Sequence, residues 1–337
     1  MRSGFKPLLG AVCAFPLSGC IGWQSALSPH GAQSGSLLRL IWLFVVVCAV
    51  VWILVIVVLA VALFRRRPIG NEPPLLEPSR ESRLNGIIAA ATVMTVLVIG
   101  TLTLVSFVAT RGLDSADENV LTLRMRGFQW WWEITYLDAS RPDRIFLSPN
   151  EIHVPVGRPV RVRLSADDVI HSFWVPSLAG KKDLIPGRDN AITFTATRPG
   201  VYRGQCAEFC GLQHAHMAFL VIAETPQSFE AWRRSQIAEA ASPSNDEEKR
   251  GQSVFTVKAC AACHTVRGTS ASGSLGPDLT HVASRRYIAS GLLETTRGSL
   301  AAWIADPQTL KPGSNMPSVP LSSDELRDVS AYMASLK

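Results

Sequence analysis

The chain has 337 residues, room for two folded domains and more, and a formal charge of +6 distributed along its length. With no basic stripe and no interleaving of basic and aromatic residues, that charge excludes a nucleic-acid partner and fits arginines beside a membrane better. Apolar residues make up 47% of the chain, but they concentrate near the N-terminus.

In chain order, the first segment opens with the basic MRSGFK, runs through a short apolar stretch and reaches Leu17-Ser18-Gly19-Cys20. Small residues there mark a processing site. The segment resembles a bacterial lipobox, which implies a lipoprotein-type signal peptide over 1–19 and a lipidated Cys20; an uncleaved leader is the open alternative. Residues 37–64 carry one arginine near their start and then an unbroken apolar run, and 84–109 is charge-free from Ile87 to Val108. Each is long enough to be a transmembrane helix. Arg65, Arg66, Arg67, Arg80 and Arg83 cluster in the loop between them, so that loop is expected in the cytoplasm and both ends of the hairpin outside.

After the polar RGLDSADEN, Leu121 to Arg126 alternates apolar and polar residues, and Val160 to Leu164 and Ile192 to Thr195 repeat the pattern. Ala218 to Ala223 is a short apolar run, and Pro155, Gly157, Pro186, Gly187, Pro199 and Gly200 punctuate. Short strands with turn signals predict an all-β sandwich or Greek-key barrel over 118–225. A helix and charged linker follow over 226–245, and 246–337 reads as an all-α domain. There Ser322 and Glu325 form a capping box, ahead of Leu326, Val329, Met333 and Leu336 on one helical face.

Seven cysteines stand at 13, 20, 48, 206, 210, 260 and 263. Cys48, inside the first span, reads as a small hydrophobe. The last four form two pairs, and although a disulfide is usual in an exported domain, each pair is followed closely by histidine, which favours metal and haem. Cys260-Ala261-Ala262-Cys263-His264 is the C-x-x-C-H signature of covalent haem attachment, with His264 as one axial ligand. Met316, in the rigid Gly313-Ser314-Asn315-Met316-Pro317, offers the other, and Met/His ligation raises the iron potential. A thioredoxin-like use of the pair is disfavoured by the histidine and by the missing βαβ pattern. In QCAEFCGLQHAHM, Cys206, Cys210, His214 and Met217 crowd into one loop. Zinc sites take no methionine, whereas thiolate, imidazole and thioether together point to copper, and a second thiolate suggests two coppers sharing both sulfurs.

These motifs resemble two families. Residues 246–337, with Gly276-Pro277-Asp278-Leu279 between the haem ligands, are similar to a class I cytochrome c. C-x-E-x-C-x-x-x-H-x-x-M over Cys206 to Met217, Asp168 to Leu178, Asp183 to Arg188, and Gly127-Phe128-Gln129-Trp130-Trp131-Trp132-Glu133 resemble subunit II of cytochrome c oxidase, a likeness covering about residues 37–235. It implies a multidomain membrane protein: a two-helix transmembrane hairpin, an all-β cupredoxin-like Greek-key barrel and an all-α cytochrome c domain. Carried onto this chain, it makes Cys206 and Cys210 the bridging thiolates of a binuclear CuA centre and His171 and His214 its terminal imidazoles. Met217 and the Glu208 carbonyl become weaker ligands, one to each copper, and the Glu208 side chain faces a Mg2+ ion shared with subunit I. Trp130 lies where electrons come in, Asp167 and Asp168 help a basic cytochrome c dock, and Glu81 is a candidate for admitting protons. His216 breaks the spacing and is expected to be no ligand; His30, His153 and His281 match no motif and default to surface or structural roles.

The implied function is electron passage from a reduced cytochrome c or a quinol–cytochrome c reductase to the chain's own haem c, then to copper, then to the O2-reducing centre of subunit I, coupled to proton pumping. The partners implied are haem-copper oxidase subunit I, the other oxidase subunits and the membrane. The location implied is the bacterial inner membrane, with both C-terminal domains on the periplasmic side. A nitrous-oxide reductase would need a second, histidine-rich copper cluster, and seven histidines in all do not supply one. A CuA-type nitric-oxide reductase small subunit and an electron-transfer lipoprotein without oxidase activity stay open.

Overall fold

A computed structural model describes residues 22, 24–65, 78–112, 119–138 and 140–337. The expected signal peptide and Cys20, and Arg66 and Arg67 of the arginine loop, lie outside the described residues. The two apolar runs form α1 (Ala32–Phe64) and α2 (Pro78–Thr110), each 33 residues. At 1.5 Å per residue each is about 50 Å long, well beyond the ~30 Å hydrocarbon core. Both helices outrun the expected spans because their polar ends also find partners or solvent. At the start of α1 the Ser34 hydroxyl donates to the Ser177 carbonyl at 2.8 Å, and Ala32 N–H donates to Thr195 O. That tie anchors the first helix to the β domain.

Among the described residues the β domain holds ten strands in the expected region. β1 (Leu121–Phe128), β2 (Trp131–Tyr136), β3 (Phe146–Leu147), β5 (Val160–Ala166) and β8 (Asn190–Phe194) make a five-stranded sheet in the order β3-β2-β1-β5-β8. β4 (Glu151–Pro155), β9 (Gly200–Gln205) and β10 (Ala218–Glu224) make a second sheet, β4-β10-β9, while β6 (His171–Trp174) and β7 (Lys181–Leu184) pair as a ribbon. Alternation drives the packing. In β1 every second residue is buried, so Leu123 and Met125 face inward while Arg124 stays exposed. Between the layers Trp132 meets Phe219 edge-on, with centroids 5.3 Å apart, and meets the ring of His171 at 5.9 Å. The aromatic core therefore continues directly into the site. At the opposite end α3 (Pro226–Ile237), capped by Thr225, lays Trp232 flat on His153 with centroids 4.0 Å apart.

The C-terminal domain is helical around a core of Phe255, Val266, Val329, Tyr332, Met333 and Leu336. α4 (Asp246–Val257) crosses α8 (Ser323–Ser335) at Gly251, where a Cβ would sit 2.0 Å from the Asp328 carbonyl oxygen. Only glycine permits that approach. The capping box forms as expected, Ser322 Oγ accepting from Glu325 N and the Glu325 carboxylate from Ser322 N. Between α4 and α8 lie the single turn α5 (Cys260–Cys263), α6 (Arg297–Ala305) and α7 (Pro307–Leu310). A short ribbon, β11 (Tyr287–Ile288) with β12 (Leu293–Glu294), was not signalled by the helical pattern. Its tip, Ala289 to Gly291, has three consecutive positive φ angles and reaches the β domain.

Candidate metal centre and haem site

The loop between β9 and β10 brings the soft donors together. Cys206 follows the last residue of β9 and closes back on the loop's end through its N–H to Met217 O at 3.0 Å. Its Sγ lies 3.7 Å from Cys210 Sγ and 3.2 Å from the Glu208 carbonyl oxygen. Cys210 Sγ in turn lies 3.6 Å from His214 Nδ1 and 3.8 Å from Met217 Sδ. His171, the first residue of β6, arrives from another layer with Nδ1 3.9 Å from Cys206 Sγ. The ligand atoms of His171, Cys206 and Cys210 all lie within 4.8 Å of one another, and these residues are buried, as is Met217. The loop ends in one 3-10 turn, His214–His216, rather than a helix.

Neighbouring groups fix the donors before any metal is considered. Asp168 Oδ1 sits 2.8 Å from His171 Nε2, while Oδ2 accepts from Gln129 N–H. With Nε2 held by the carboxylate, Nδ1 is left facing the sulfurs. Burial pulls the His171 imidazole down, but Cys206 and Asp168 outweigh it and raise it. The Cys210 thiol lowers Cys206 against the effect of burial, and Cys206 pushes Cys210 up, so the metal-free pair holds its first thiolate readily. The Cys210 carbonyl accepts from the Trp130 indole N–H at 2.9 Å and from the Gln129 amide at 2.8 Å. Soft thiolate and thioether donors from one loop, beside that loop's own imidazole and a second from β6, fit copper.

Other expected residues fall differently. His216 turns away to the Gln213 side chain at 2.8 Å. The Glu208 carboxylate is paired with Lys181 at 3.2 Å. Asp167 is paired with Arg126, and Asp168 serves His171, so neither acid is a free charge on a docking face. His153 and His281 are buried and hydrogen-bonded: His153 lies against Glu224, and His281 faces the Ala238 and Lys337 carbonyls. Trp132 is the core tryptophan of the aromatic run, and Trp130 is 9% exposed. Glu81 lies exposed near the start of α2.

In the C-terminal domain, Cys260 and Cys263 occupy the two ends of α5 as free thiols. His264 Nδ1 donates to the Pro277 carbonyl at 2.8 Å, which leaves Nε2 as the free ring nitrogen. Burial lowers its pKa and keeps the imidazole neutral, against the Pro277 bond. A Cβ at Gly276 would lie 2.6 Å from His264 Cε1, and one at Gly273 would lie 2.5 Å from the Ala262 carbonyl group. The half-buried Met316 sits in a loop tied by Gln308, whose amide nitrogen donates to Met316 O at 2.7 Å and Ser314 O at 2.8 Å. Two thiols, a neutral imidazole with a fixed tautomer and a braced thioether fit a covalent haem. Sequence reasoning missed Gln308 and Lys311. Asp168 carried a usable signal, a carboxylate three residues before a histidine of the donor cluster.

A β barrel with a soft-donor loop, joined to two long apolar helices and to a C-x-x-C-H helical domain, defines a membrane-bound electron-transfer protein. Comparison sharpens that class. The family described as cytochrome c oxidase subunit II, periplasmic domain, matches residues 142–224, and the cytochrome c family matches 248–337. The chain is 34% identical over 328 residues to cytochrome c oxidase subunit 2 of Alkalihalophilus pseudofirmus, covering 95% of this chain and 94% of that one. It is 29% identical over 350 residues to the Bacillus subtilis subunit 2, covering 98% and 97%. Among solved structures it is similar to the periplasmic domain of subunit II of cytochrome oxidase of Bradyrhizobium japonicum, at 32% identity, covering 37% of this chain and 96% of that one, with a TM-score of 0.33. The chain belongs to the cytochrome c oxidase subunit II family, and it carries a cytochrome c domain at its C-terminal end. Membership makes it an oxidase subunit and implies a CuA copper centre and a haem.

Proposed function

We propose that this subunit takes electrons from a reduced cytochrome c or a quinol–cytochrome c reductase onto its own haem c and passes them through a binuclear CuA centre to subunit I, where O2 is reduced and protons are pumped. The observation that carries the reading is the pair of buried thiols 3.7 Å apart, with an imidazole Nδ1 beside each sulfur and a thioether beside the second. Cys206, Cys210, His171, His214, Met217 and the Glu208 carbonyl would hold the coppers, and Cys260, Cys263, His264 and Met316 the haem. When bound, these groups supply one-electron carriers that no side chain here can replace. The chain's own part is to fix donors in advance: Asp168 orients His171, Pro277 orients His264, and the barrel layers hold the loop so that little moves when charge changes. The Glu208 side chain, beyond its pairing with Lys181, is the candidate for a Mg2+ site against subunit I. The two apolar helices support a seat in the bacterial inner membrane, and the arginine-rich loop between them supports an orientation with the barrel and haem domain on the outer side.

Electron paramagnetic resonance of the purified full chain tests the copper assignment. One unpaired electron shared over two coppers gives a seven-line hyperfine pattern, and a four-line pattern or bound zinc overturns it. Co-purification with a membrane partner carrying haem A supports the oxidase, and absence of any haem-copper partner would sink it.

A further inference from the structure

Two strips of the C-terminal domain lie on the face of the barrel beside the copper loop. The first is the β11–β12 ribbon, where Arg286 N–H donates to Glu151 Oε1 at 2.6 Å and Ser290 O accepts from Ala218 N–H at 3.0 Å. The second is the start of the Met316 loop, where Pro312 O accepts from the buried Gln213 amide at 2.9 Å. A Cβ at Gly313 would lie 3.5 Å from both Leu212 and the ring of Trp130, so this loop packs directly on that tryptophan. Both strips converge on one atom. The Trp130 carbonyl oxygen accepts from Lys311 Nζ at 2.7 Å and from Ser290 Oγ at 2.8 Å.

Lys311 is 3% exposed and has no carboxylate partner among the described residues; its other contact is the Ala289 carbonyl at 3.1 Å. Lysine is almost never fully buried without a reason. An apolar side chain of the same length would take from the Ala289 carbonyl the lysine's bond and leave the Trp130 carbonyl with Ser290 Oγ alone, which is costly. The backbone around it is equally committed, since Ala289, Ser290 and Gly291 all adopt positive φ to aim the ribbon tip. The Trp130 indole N–H, on the other side of the same residue, bonds to the Cys210 carbonyl. Trp130 is thus gripped by the haem-domain side through its carbonyl and by the copper loop through its ring.

We propose that Lys311, assisted by Ser290, is a positioning residue that clamps the C-terminal domain onto the barrel over Trp130, holding the Met316 loop against the copper loop and closing that face to a diffusing donor. An external donor then delivers to the C-terminal domain, away from Trp130. The electron-transfer part rests on the function proposed above, whereas the clamp itself does not.

The test uses the full chain in its membrane complex, with Lys311→Met, Ser290→Ala and Lys311→Gln. Amide hydrogen exchange at Ala218 and Arg286, which donate across the contact, rises at least tenfold in Lys311→Met while α8 keeps its protection. Lys311→Gln retains a donor and brings exchange to within about threefold of wild type. After flash photoreduction by a ruthenium bipyridyl complex, haem reoxidation slows at least tenfold in Lys311→Met with the haem spectrum and midpoint unchanged. Wild-type exchange at both amides in Lys311→Met overturns the clamp. If that variant loses α8 protection, Ser290→Ala decides: a rise of about threefold supports the clamp and no rise overturns it. Failure of the functional reading would show separately, as no copper-linked reoxidation in the wild-type chain.

Discussion

Replacing Gly127 with alanine adds one methyl group to β1, and that methyl lands 2.8 Å from His171 Cδ2 and 3.1 Å from Cγ. Carbon atoms pack comfortably at about 3.5–4.0 Å, so the ring must retreat by about 0.7 Å. It has nowhere to go. His171 is wholly buried, its Nε2 is held by Asp168, and Trp132 lies edge-on to the ring. Overpacking of this kind costs about 1–3 kcal/mol, against roughly 0.5–1 kcal/mol gained from the lower chain entropy of alanine. The expected result is net destabilisation of the barrel by up to about 2.5 kcal/mol, with copper affinity reduced about 10–100-fold because the proposed ligand His171 is displaced. Gly298→Ala in α6 is the control, since only Thr296 Oγ1 at 3.8 Å is near its Cβ; it should be neutral or slightly stabilising. Thermal unfolding and copper titration of both variants, read with the hyperfine pattern, make the assay. Gly127→Ala with unchanged unfolding and unchanged copper affinity would refute the packing argument.

Met316→Ala removes the thioether offered to the haem and should lower its midpoint potential by on the order of 100 mV; potentiometric titration reads it, and an unchanged midpoint excludes Met316 as the ligand. Gly251→Ala should cost about 3 kcal/mol or more, since its Cβ would meet the Asp328 carbonyl oxygen at 2.0 Å and two helix backbones must part; loss of the C-terminal domain's unfolding transition, with the barrel's retained, is the expected trace. Burial pulls His153 down, but Glu151 and Glu224 outweigh it and raise its pKa. Its contribution is therefore complete below about pH 6.5 and lost as pH rises through the folded pKa. Denaturation midpoints measured from pH 5 to 9 should fall across that window in the wild-type chain and fall less in Glu224→Gln, with Glu151, Tyr136 and Trp232 left in place around the ring; equal slopes would refute the linkage.

The parts legible in the sequence were those governed by local rules. Alternation in Leu121 to Arg126 gave a strand because one face had to be buried, and the apolar runs gave helices because their length left no other use. The helices outran the spans because hydropathy marks where a chain turns apolar, whereas Ser34 and its partners set where the helix begins. The copper loop was legible because donor chemistry is confined to few residue types at fixed spacing. His171, 35 positions before Cys206, needed the family resemblance, since a lone buried histidine has no local signature. The bond between Asp168 and His171 was not legible, because a carboxylate that only meets solvent and one turned toward a histidine look alike in sequence. Lys311 gave no signal at all. A lysine beside proline and glycine reads as a solvated loop residue, and only tertiary packing reveals two carbonyls waiting for its ammonium.

That last residue bears on why the acids beside the copper loop are paired rather than free. A diffusing donor gains its encounter rate from charge complementarity, which requires free surface carboxylates. Here Asp167 is spent on Arg126 and Asp168 on His171, and Trp130 is covered by the ribbon and the Met316 loop. A donor tethered to the same chain works at an effective concentration of about millimolar without steering. For such a donor, attraction over long range matters less than a fixed seat at short range. Hydrogen bonds to the Trp130 carbonyl supply that seat while leaving the indole N–H on Cys210, so the face that would otherwise recruit a partner can be built to hold one.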